Sequence, residues 1–224
     1  MANVKIVAIF AIVIVAAVAG IAWPFLANLQ TIKIIPIQAS QWHMGKGSQY
    51  EPVMLYQVSF NKTAFSANMK FLPMNGQNQE LLVEIKPPNN KVESQTVQIG
   101  LVYDFTDVSA EAKPYFDILD KTVFSMRDYA TEDKYLAKGA EWGDLYIGAN
   151  HEKLTVKDVG KNSFAFGTAN SYTLSYRIGA HINKFWIVDN LPLPVKAEVY
   201  DPDGNLEYTY ELVSLKAPLT PGFS

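Results

Sequence analysis

The sequence predicts a mainly β protein, in which an N-terminal transmembrane helix precedes an antiparallel β-sandwich, Ig-like or related, with one inserted amphipathic helix. Three observations support this prediction. About twenty-two uncharged residues lie near the start of the chain. Short extended segments then recur about every eight to twelve residues, and apolar residues at helical spacing occur in one place. The chain has 224 residues, which is enough for one domain and an anchor.

Composition narrows the classes of function. The chain contains no cysteine, so disulfides, thiolate metal sites, iron–sulfur clusters and cysteine nucleophiles are excluded. Its net charge of -3 provides no surplus of cations to neutralise a phosphate backbone, and nucleic acid is therefore not expected as a partner. Twelve Tyr, twelve Phe and four Trp favour strands over a helical bundle.

The N-terminal segment is predicted to be a membrane anchor. Residues 6–27 carry no charge, and as a helix they would just cross a hydrocarbon core of about 30 Å. The alternative is a cleaved signal peptide, because Ala17-Val18-Ala19 resembles a small-residue cleavage site. We therefore expect an anchor over residues 1–30, an extracytoplasmic domain over 31–215 and a flexible tail over 216–224. Cleavage would leave a secreted or periplasmic protein.

The first half of the domain is predicted to be a series of strands. Turn-forming Pro, Asn and Gly residues separate short β-rich runs. The predicted strands are 31–38, 53–60, 68–72, 81–86 and 96–105. A loop over 39–52 carries Trp42, His43 and Met44.

One amphipathic helix is predicted to begin near Pro114, which suits the first turn of a helix. Its apolar residues recur at helical spacing and define one face. They are Phe116, Leu119, Val123 and Met126. A second short helical turn is predicted over 132–138, ended by Gly139.

Strands resume in the second half of the chain. The predicted strands are 142–147, 153–157, 163–167, 171–178, 184–189, 195–200 and 206–215. Residues 171–178 alternate strictly between apolar and polar, which predicts one buried and one solvated face. Residues 201–205 (DPDGN) predict a hairpin turn in which Gly204 takes a positive φ.

No set of residues predicts a catalytic site. The three histidines, His43, His151 and His181, lack the close spacing of ligands on one helix or strand. His43 and Met44 are candidate ligands of a copper or zinc site, should a third ligand approach from elsewhere in the fold. The simpler interpretation is that Trp42 packs on the sheet while His43 is solvated.

Other candidate sites are weaker. Residues 201–207 place oxygen-bearing side chains at alternate positions but lack the glycine and glutamate spacing of a calcium loop. Nothing selects a catalytic pair among the acidic residues Asp104, Asp107, Glu111, Glu141 and Asp144. Asn61 begins an Asn-Lys-Thr triplet, a glycosylation acceptor if the organism glycosylates.

The sequence therefore predicts a membrane-anchored extracytoplasmic protein with a binding or assembly role in the cell envelope, non-catalytic and without a cofactor. Its expected partners are the membrane, through the N-terminal helix, and a protein or an envelope glycan. The alternative is a metal-binding accessory subunit or a hydrolase of a membrane complex. A third possibility, a carrier of lipid or another small ligand, requires a large apolar cavity.

Overall fold

The computed structural model describes residues 39–76, 78–87, 93–99, 108–147 and 150–216. The predicted anchor over 1–30, the predicted strand over 31–38 and the tail beyond Lys216 lie outside these residues. Within the described ranges, no helix has the length and apolar character needed to cross a bilayer.

Twelve strands and one α-helix are found in the described residues. The strands are β1 (Gln41–Trp42), β2 (Val53–Phe60), β3 (Thr63–Phe71), β4 (Gln79–Lys86), β5 (Glu93–Ile99), β6 (Lys134–Tyr135), β7 (Glu141–Ile147), β8 (Asn150–Phe164), β9 (Gly167–Ile178), β10 (His181–Ile187), β11 (Lys196–Tyr200) and β12 (Leu206–Lys216). The helix is α1 (Lys113–Lys121), and 3-10 turns cover Ser48–Tyr50 and Ser125–Asp128.

Ten of these strands form one antiparallel sheet in the order β5-β4-β3-β2-β12-β11-β10-β9-β8-β7. Strands β1 and β6 form a separate antiparallel pair. The prediction of an antiparallel β domain with one helix is confirmed. The predicted division into two facing sheets is not, because hydrogen-bonded pairing continues across all ten strands without a break.

One face of the sheet holds the core, as the period of two along each strand requires. In β2, Tyr56 and Val58 are buried while Gln57 between them is exposed. We call the face that carries Tyr56 the inner face and the face that carries Gln57 the outer face. Helix α1 covers the inner face, where Tyr115 meets Phe65 of β3 edge to face at 5.3 Å between ring centroids.

The predicted helix is confirmed, with Pro114 in its first turn. Phe116 and Leu119 are buried, and Met126 is buried in the 3-10 turn that follows. The second predicted helical turn is wrong. Strand β6 lies there instead, because Lys134 and Tyr135 pair with β1, and this tertiary pairing outweighs the local helical preference.

Trp42 attaches its loop to the sheet through a hydrogen bond and a ring contact. Its indole nitrogen donates to the backbone oxygen of Leu191 at 2.7 Å, and its ring stacks on Trp142 of β7 at 5.6 Å between centroids. Trp42 is fully buried. The expectation that it packs on the sheet is confirmed.

The hairpin formed by β8 and β9 differs most from prediction. Two short strands were expected over 153–157 and 163–167, but β8 is one continuous strand with a register shift between Val156 and Asp158. Beyond that shift the hairpin reaches β12, where the backbone nitrogen of Ala165 donates to Glu211 Oε1 at 3.0 Å.

The solvated face predicted for 171–178 is also wrong in part. Ser171 and Ser175 are buried. Asn162 Nδ2 donates to Ser171 Oγ at 2.8 Å, so β8 side chains take the place of water over this part of β9.

Tyrosines line the middle of the inner face. Tyr56 and Tyr210 are buried, and burial raises the pKa of both well above its ordinary value. Tyr56 Oη donates to the backbone oxygen of Pro194 at 2.8 Å, whereas Tyr210 Oη has no hydrogen-bond partner among the described residues. Burial, followed by repulsion from Tyr129, raises the pKa of Tyr176 to about 12.

Candidate functional site

A groove of about 710 Å³ opens on the outer face over β8, β9 and β10. This volume falls within the usual range of ligand sites, roughly 300 to 1,000 Å³. Its lining residues are Glu152, Lys153, Lys157, Asp158, Asn162, Thr173, Ser175, Tyr176, Arg177, Ile182, Lys184 and Trp186. We call it the cationic groove, because four of these side chains are basic and two are acidic.

The strand register sets the floor of the groove. Ser175 lies opposite Lys184, Thr173 lies opposite Trp186 and Arg177 lies opposite Ile182. Side chains directly opposite each other on one face have Cβ atoms about 5 Å apart. The floor therefore places hydroxyl, basic and apolar groups next to one another.

Two lysines at the margins of the groove are paired. Lys153 Nζ lies 2.6 Å from Glu141 Oε2, and this hydrogen bond is the main cause of a raised Lys153 pKa. Lys196 Nζ lies 3.2 Å from Glu198 Oε1 and 3.8 Å from Glu211 Oε2. These lysines have carboxylate partners within the protein.

Three other cations of the groove lack such partners. Among the described residues, no carboxylate oxygen lies within 4.0 Å of Lys157, Arg177 or Lys184. Lys157 and Arg177 are exposed, and Lys184 is half-buried. None of the three is held in an ion pair within the described residues, and the nearest strand partner with a carboxylate is Glu198, opposite Lys184.

Two apolar side chains complete the surface. Ile182 is 42% exposed, and Trp186 is half-buried. Lys196 Nζ lies over the Trp186 ring, 5.4 Å from its centroid, which is a cation–π distance. One face of this indole is thus occupied by the protein itself.

A second, smaller groove of about 310 Å³ lies on the same outer face over β2, β11 and β12. Glu198, Glu211 and Lys196 line it. Carboxylates outnumber cations among these three, so its charge is opposite to that of the cationic groove. We call it the acidic groove.

The candidate metal ligands occupy the loop beside β1. His43 Nδ1 lies 2.8 Å from Asp133 Oδ1, and Met44 is buried with its backbone nitrogen donating to the oxygen of Ala130. In the part of the chain that the structure describes, no three His, Cys, Asp or Glu side chains converge. The metal site at His43 and Met44 stays a prediction, which elemental analysis of wild type and His43→Ala would test.

The other two histidines lie elsewhere on the sheet. His151 Nε2 lies 2.7 Å from Asp144 Oδ1, and its ring stacks on Tyr146 at 4.7 Å between centroids. His181 stacks on Tyr200 at 5.3 Å. Each histidine has a local partner of its own.

The remaining predicted sites are placed as follows. Asn61 is exposed in the two-residue turn between β2 and β3, and its glycosylation stays a prediction. Asp201 Oδ1 accepts from the Asn205 nitrogen at 2.8 Å, and hydrogen bonds from Asn205 lower the pKa of this carboxyl. Gly204 has φ 86, so the predicted hairpin turn is confirmed. Asp104 and Asp107 lie outside the described residues.

Sequence reasoning missed the cationic groove. Residues 184–189 are predicted only as a strand, although Lys184 and Trp186 alternate with the buried Phe185 and Ile187. The same period of two places Arg177 on the outer face. The alternation in β9 and β10 could therefore have predicted part of the groove. The bulge after Val156, which aligns β8 with β9, has no recognisable pattern in the sequence.

No protein-family model matches the chain, and no curated protein matches it. Solved structures with a similar backbone include the crystal structure of MucB, at 8% identity and a TM-score of 0.48. The crystal structure of MucB in complex with MucA(peri) gives 9% identity and 0.45. These alignments cover 80% and 79% of this chain but 57% and 54% of the MucB chains, so this chain spans little more than half of their length.

A putative exported protein with a YmcC-like fold from Bacteroides fragilis is also similar in backbone. It shows 10% identity and a TM-score of 0.38, with 80% of this chain and 99% of that chain covered. At these identities and TM-scores, the three structures do not assign a ligand or a location to this chain.

Proposed function

We propose that this protein is an extracytoplasmic binding protein of the cell envelope, anchored by residues 1–30, that holds an anionic partner in the cationic groove. The observation that carries the proposal is the group of three cations, Lys157, Arg177 and Lys184, which have no carboxylate partner in the described residues. They gather on one surface of a protein whose net charge is -3. The role is binding or assembly, without catalysis.

The location is inferred from the N-terminal segment. Residues 6–27 contain no charged residue, and both an uncleaved anchor and a cleaved signal peptide would carry the following domain out of the cytoplasm. Intact-mass determination of the protein from its native membrane distinguishes the two. A full-length mass supports the anchor, and loss of about the first nineteen residues supports cleavage.

An anionic partner follows from the electrostatics of the groove. Cations without a partner keep their solvation when the groove is empty and gain charge-assisted hydrogen bonds when a carboxylate enters. The guanidinium of Arg177 can bind a carboxylate with two parallel hydrogen bonds. Such pairs guide association and select against cationic partners.

The proposal is tested by titrating the full-length protein, in nanodiscs of zwitterionic lipid, with two labelled anionic polymers, polyglutamate and polygalacturonate. We expect at least one polymer to bind, and Arg177→Glu combined with Lys184→Glu to weaken that binding about tenfold or more. Binding should also weaken as added salt shortens the Debye length from about 30 Å to about 8 Å.

Lys70→Glu combined with Lys86→Glu is the matched control. Lys70 and Lys86 are exposed on the outer face of β3 and β4, so this pair makes the same change in net charge outside the groove. Equal losses in the two double variants would mean that only net charge matters and would overturn the groove. Binding that neither double variant changes would overturn it too.

A further inference from the structure

We infer that the partner held in the cationic groove is an extended polypeptide segment that carries acidic side chains beside apolar ones. This inference rests on the proposed function, because it names the class of partner for the same groove. Three features of the outer face distinguish a polypeptide from an acidic glycan or an anionic membrane.

The first feature is that basic side chains lie next to an exposed apolar side chain. Arg177 lies directly opposite Ile182, and Ile182 is 42% exposed. Lys184 lies two residues further along β10 on the same face. A ligand that fills this floor must therefore present carboxylates and an apolar group within about 5 to 8 Å of one another. Neighbouring side chains of an extended polypeptide meet this requirement.

The second feature is that the protein itself covers part of the Trp186 ring. A sugar usually needs an open ring face, on which its C–H groups can pack. Lys196 Nζ already occupies one face of Trp186, at 5.4 Å from the centroid, and Trp186 is only half-buried against the sheet. Lys196 therefore removes one of the two ring faces on which a sugar could pack, whereas an aliphatic side chain needs neither.

The third feature is that the outer face carries both signs of charge. The cationic groove over β8, β9 and β10 is followed along the sheet by the acidic groove, which Glu198 and Glu211 line. Strands β9 and β12 are three spacings apart, or about 14 Å, a distance that four or five extended residues cover. Both glutamates already pair with Lys196, and Glu211 also accepts from Ala165, so this end of the path favours a neutral group. A polypeptide can be acidic at one end and neutral at the other, whereas acidic glycans and anionic membranes carry negative charge throughout.

The experiment compares labelled probes on the full-length protein in zwitterionic nanodiscs. The peptide probes have about ten residues, in which Leu alternates with Glu, Gln or Lys, so that they remain extended. Polygalacturonate, vesicles with phosphatidylglycerol and an oligothymidylate represent the other anionic classes. We expect the Glu peptide to bind about tenfold or more tightly than the Gln and Lys peptides.

Two variants examine the contacts that a polypeptide would make. Ile182→Ser should weaken the Glu peptide several-fold by removing the apolar contact, since burying one methylene contributes about 0.8 kcal/mol. Arg177→Lys keeps the charge but removes the two-pronged donor, and it should also weaken binding. Lys70→Glu should leave the affinity unchanged. Circular dichroism and thermal unfolding of each variant confirm that the fold is retained.

The outcomes separate this inference from the proposed function. If polygalacturonate binds with dependence on Arg177 and Lys184 while no peptide does, the polypeptide is overturned, but the proposal that the cationic groove holds an anionic partner stands. Binding of only vesicles or only oligothymidylate likewise overturns the polypeptide. If no probe binds in a manner that depends on Arg177 and Lys184, both the inference and the proposed function fail.

Discussion

The two halves of the sheet are built differently. In the half formed by β2 to β5, the pairings of β2 with β3, β3 with β4 and β4 with β5 show no register shift. In the half formed by β7 to β12, shifts occur between β7 and β8, β8 and β9, and β11 and β12. Bulges of this kind redirect side chains. We call β2 to β5 the regular half and β7 to β12 the irregular half. The cationic groove and the buried Ser171 and Ser175 both lie in the irregular half.

The outer faces of the two halves differ in the same way. In the regular half, Gln57 donates to Ser66 at 2.9 Å and Asn68 donates to Glu84 at 2.8 Å, so polar groups satisfy one another within the sheet. In the irregular half, three cations, Lys157, Arg177 and Lys184, line a single groove. We therefore expect the irregular half to present the binding surface and the regular half to support it.

The largest expected effect is a loss of folding stability when the packing of Trp42 against the irregular half is removed. Trp42→Ala removes a fully buried ring that stacks on Trp142 and donates to Leu191, and it should lower the free energy of unfolding by about 3 to 5 kcal/mol. Phe71→Ala creates a comparable cavity in the regular half. Chemical denaturation with tryptophan fluorescence measures both, and a loss below about 1 kcal/mol for Trp42→Ala would contradict the role of this residue.

Alkaline pH should weaken the protein through the tyrosines of the inner face. The folded-state pKa of Tyr176 is raised to about 12, above its unfolded value of about 10, so the unfolded chain releases its proton first. Stability from this tyrosine is complete below pH 10 or so and falls by about 1.4 kcal/mol per pH unit until the folded pKa is reached. Tyrosinate absorbance measured beside circular dichroism checks this, and ionisation of every tyrosine near pH 10 in the folded protein would contradict it.

A smaller effect tests the seam where β2 of the regular half meets β12 of the irregular half. Tyr56 and Tyr210 meet there at 6.1 Å between ring centroids. Tyr56→Phe leaves the Pro194 oxygen without its donor and should cost about 1 to 2 kcal/mol, whereas Tyr210→Phe removes a hydroxyl without a partner and should be nearly neutral. Thermal unfolding of both variants measures the difference, and equal costs would show that Tyr210 Oη is hydrogen-bonded in solution.

Patterns within short stretches of sequence predicted the elements that depend mainly on neighbouring residues. The period of two over residues 171–178 located β9, helical spacing located α1, and the residues of the 201–205 turn required Gly204 at positive φ. Long-range pairing decided the rest. The pairing of β6 with β1 replaced a predicted helical turn, and hydrogen bonding across ten strands produced one sheet where two were expected.

The cationic groove could be predicted only in part, for the same reason. Alternation along β9 and β10 places Arg177 and Lys184 on the outer face. Lys157 joins them only because β8 shifts register after Val156, and the gathering of the three cations in one groove depends on which strands are neighbours. Strand order over long sequence separations is not encoded in any local pattern.

Binding of an anionic partner on the outer face of the irregular half can be tested by protection of a thiol. Because the chain has no cysteine, single thiols can be placed at Thr173→Cys within the groove and at Ser66→Cys on the same face of the regular half, both at half-buried positions. The measurement is the rate of thiol modification with and without the tightest anionic probe. We expect the probe to slow modification at position 173 and to leave the rate at position 66 unchanged, whereas equal rates at position 173 with and without the bound probe would contradict binding in the cationic groove.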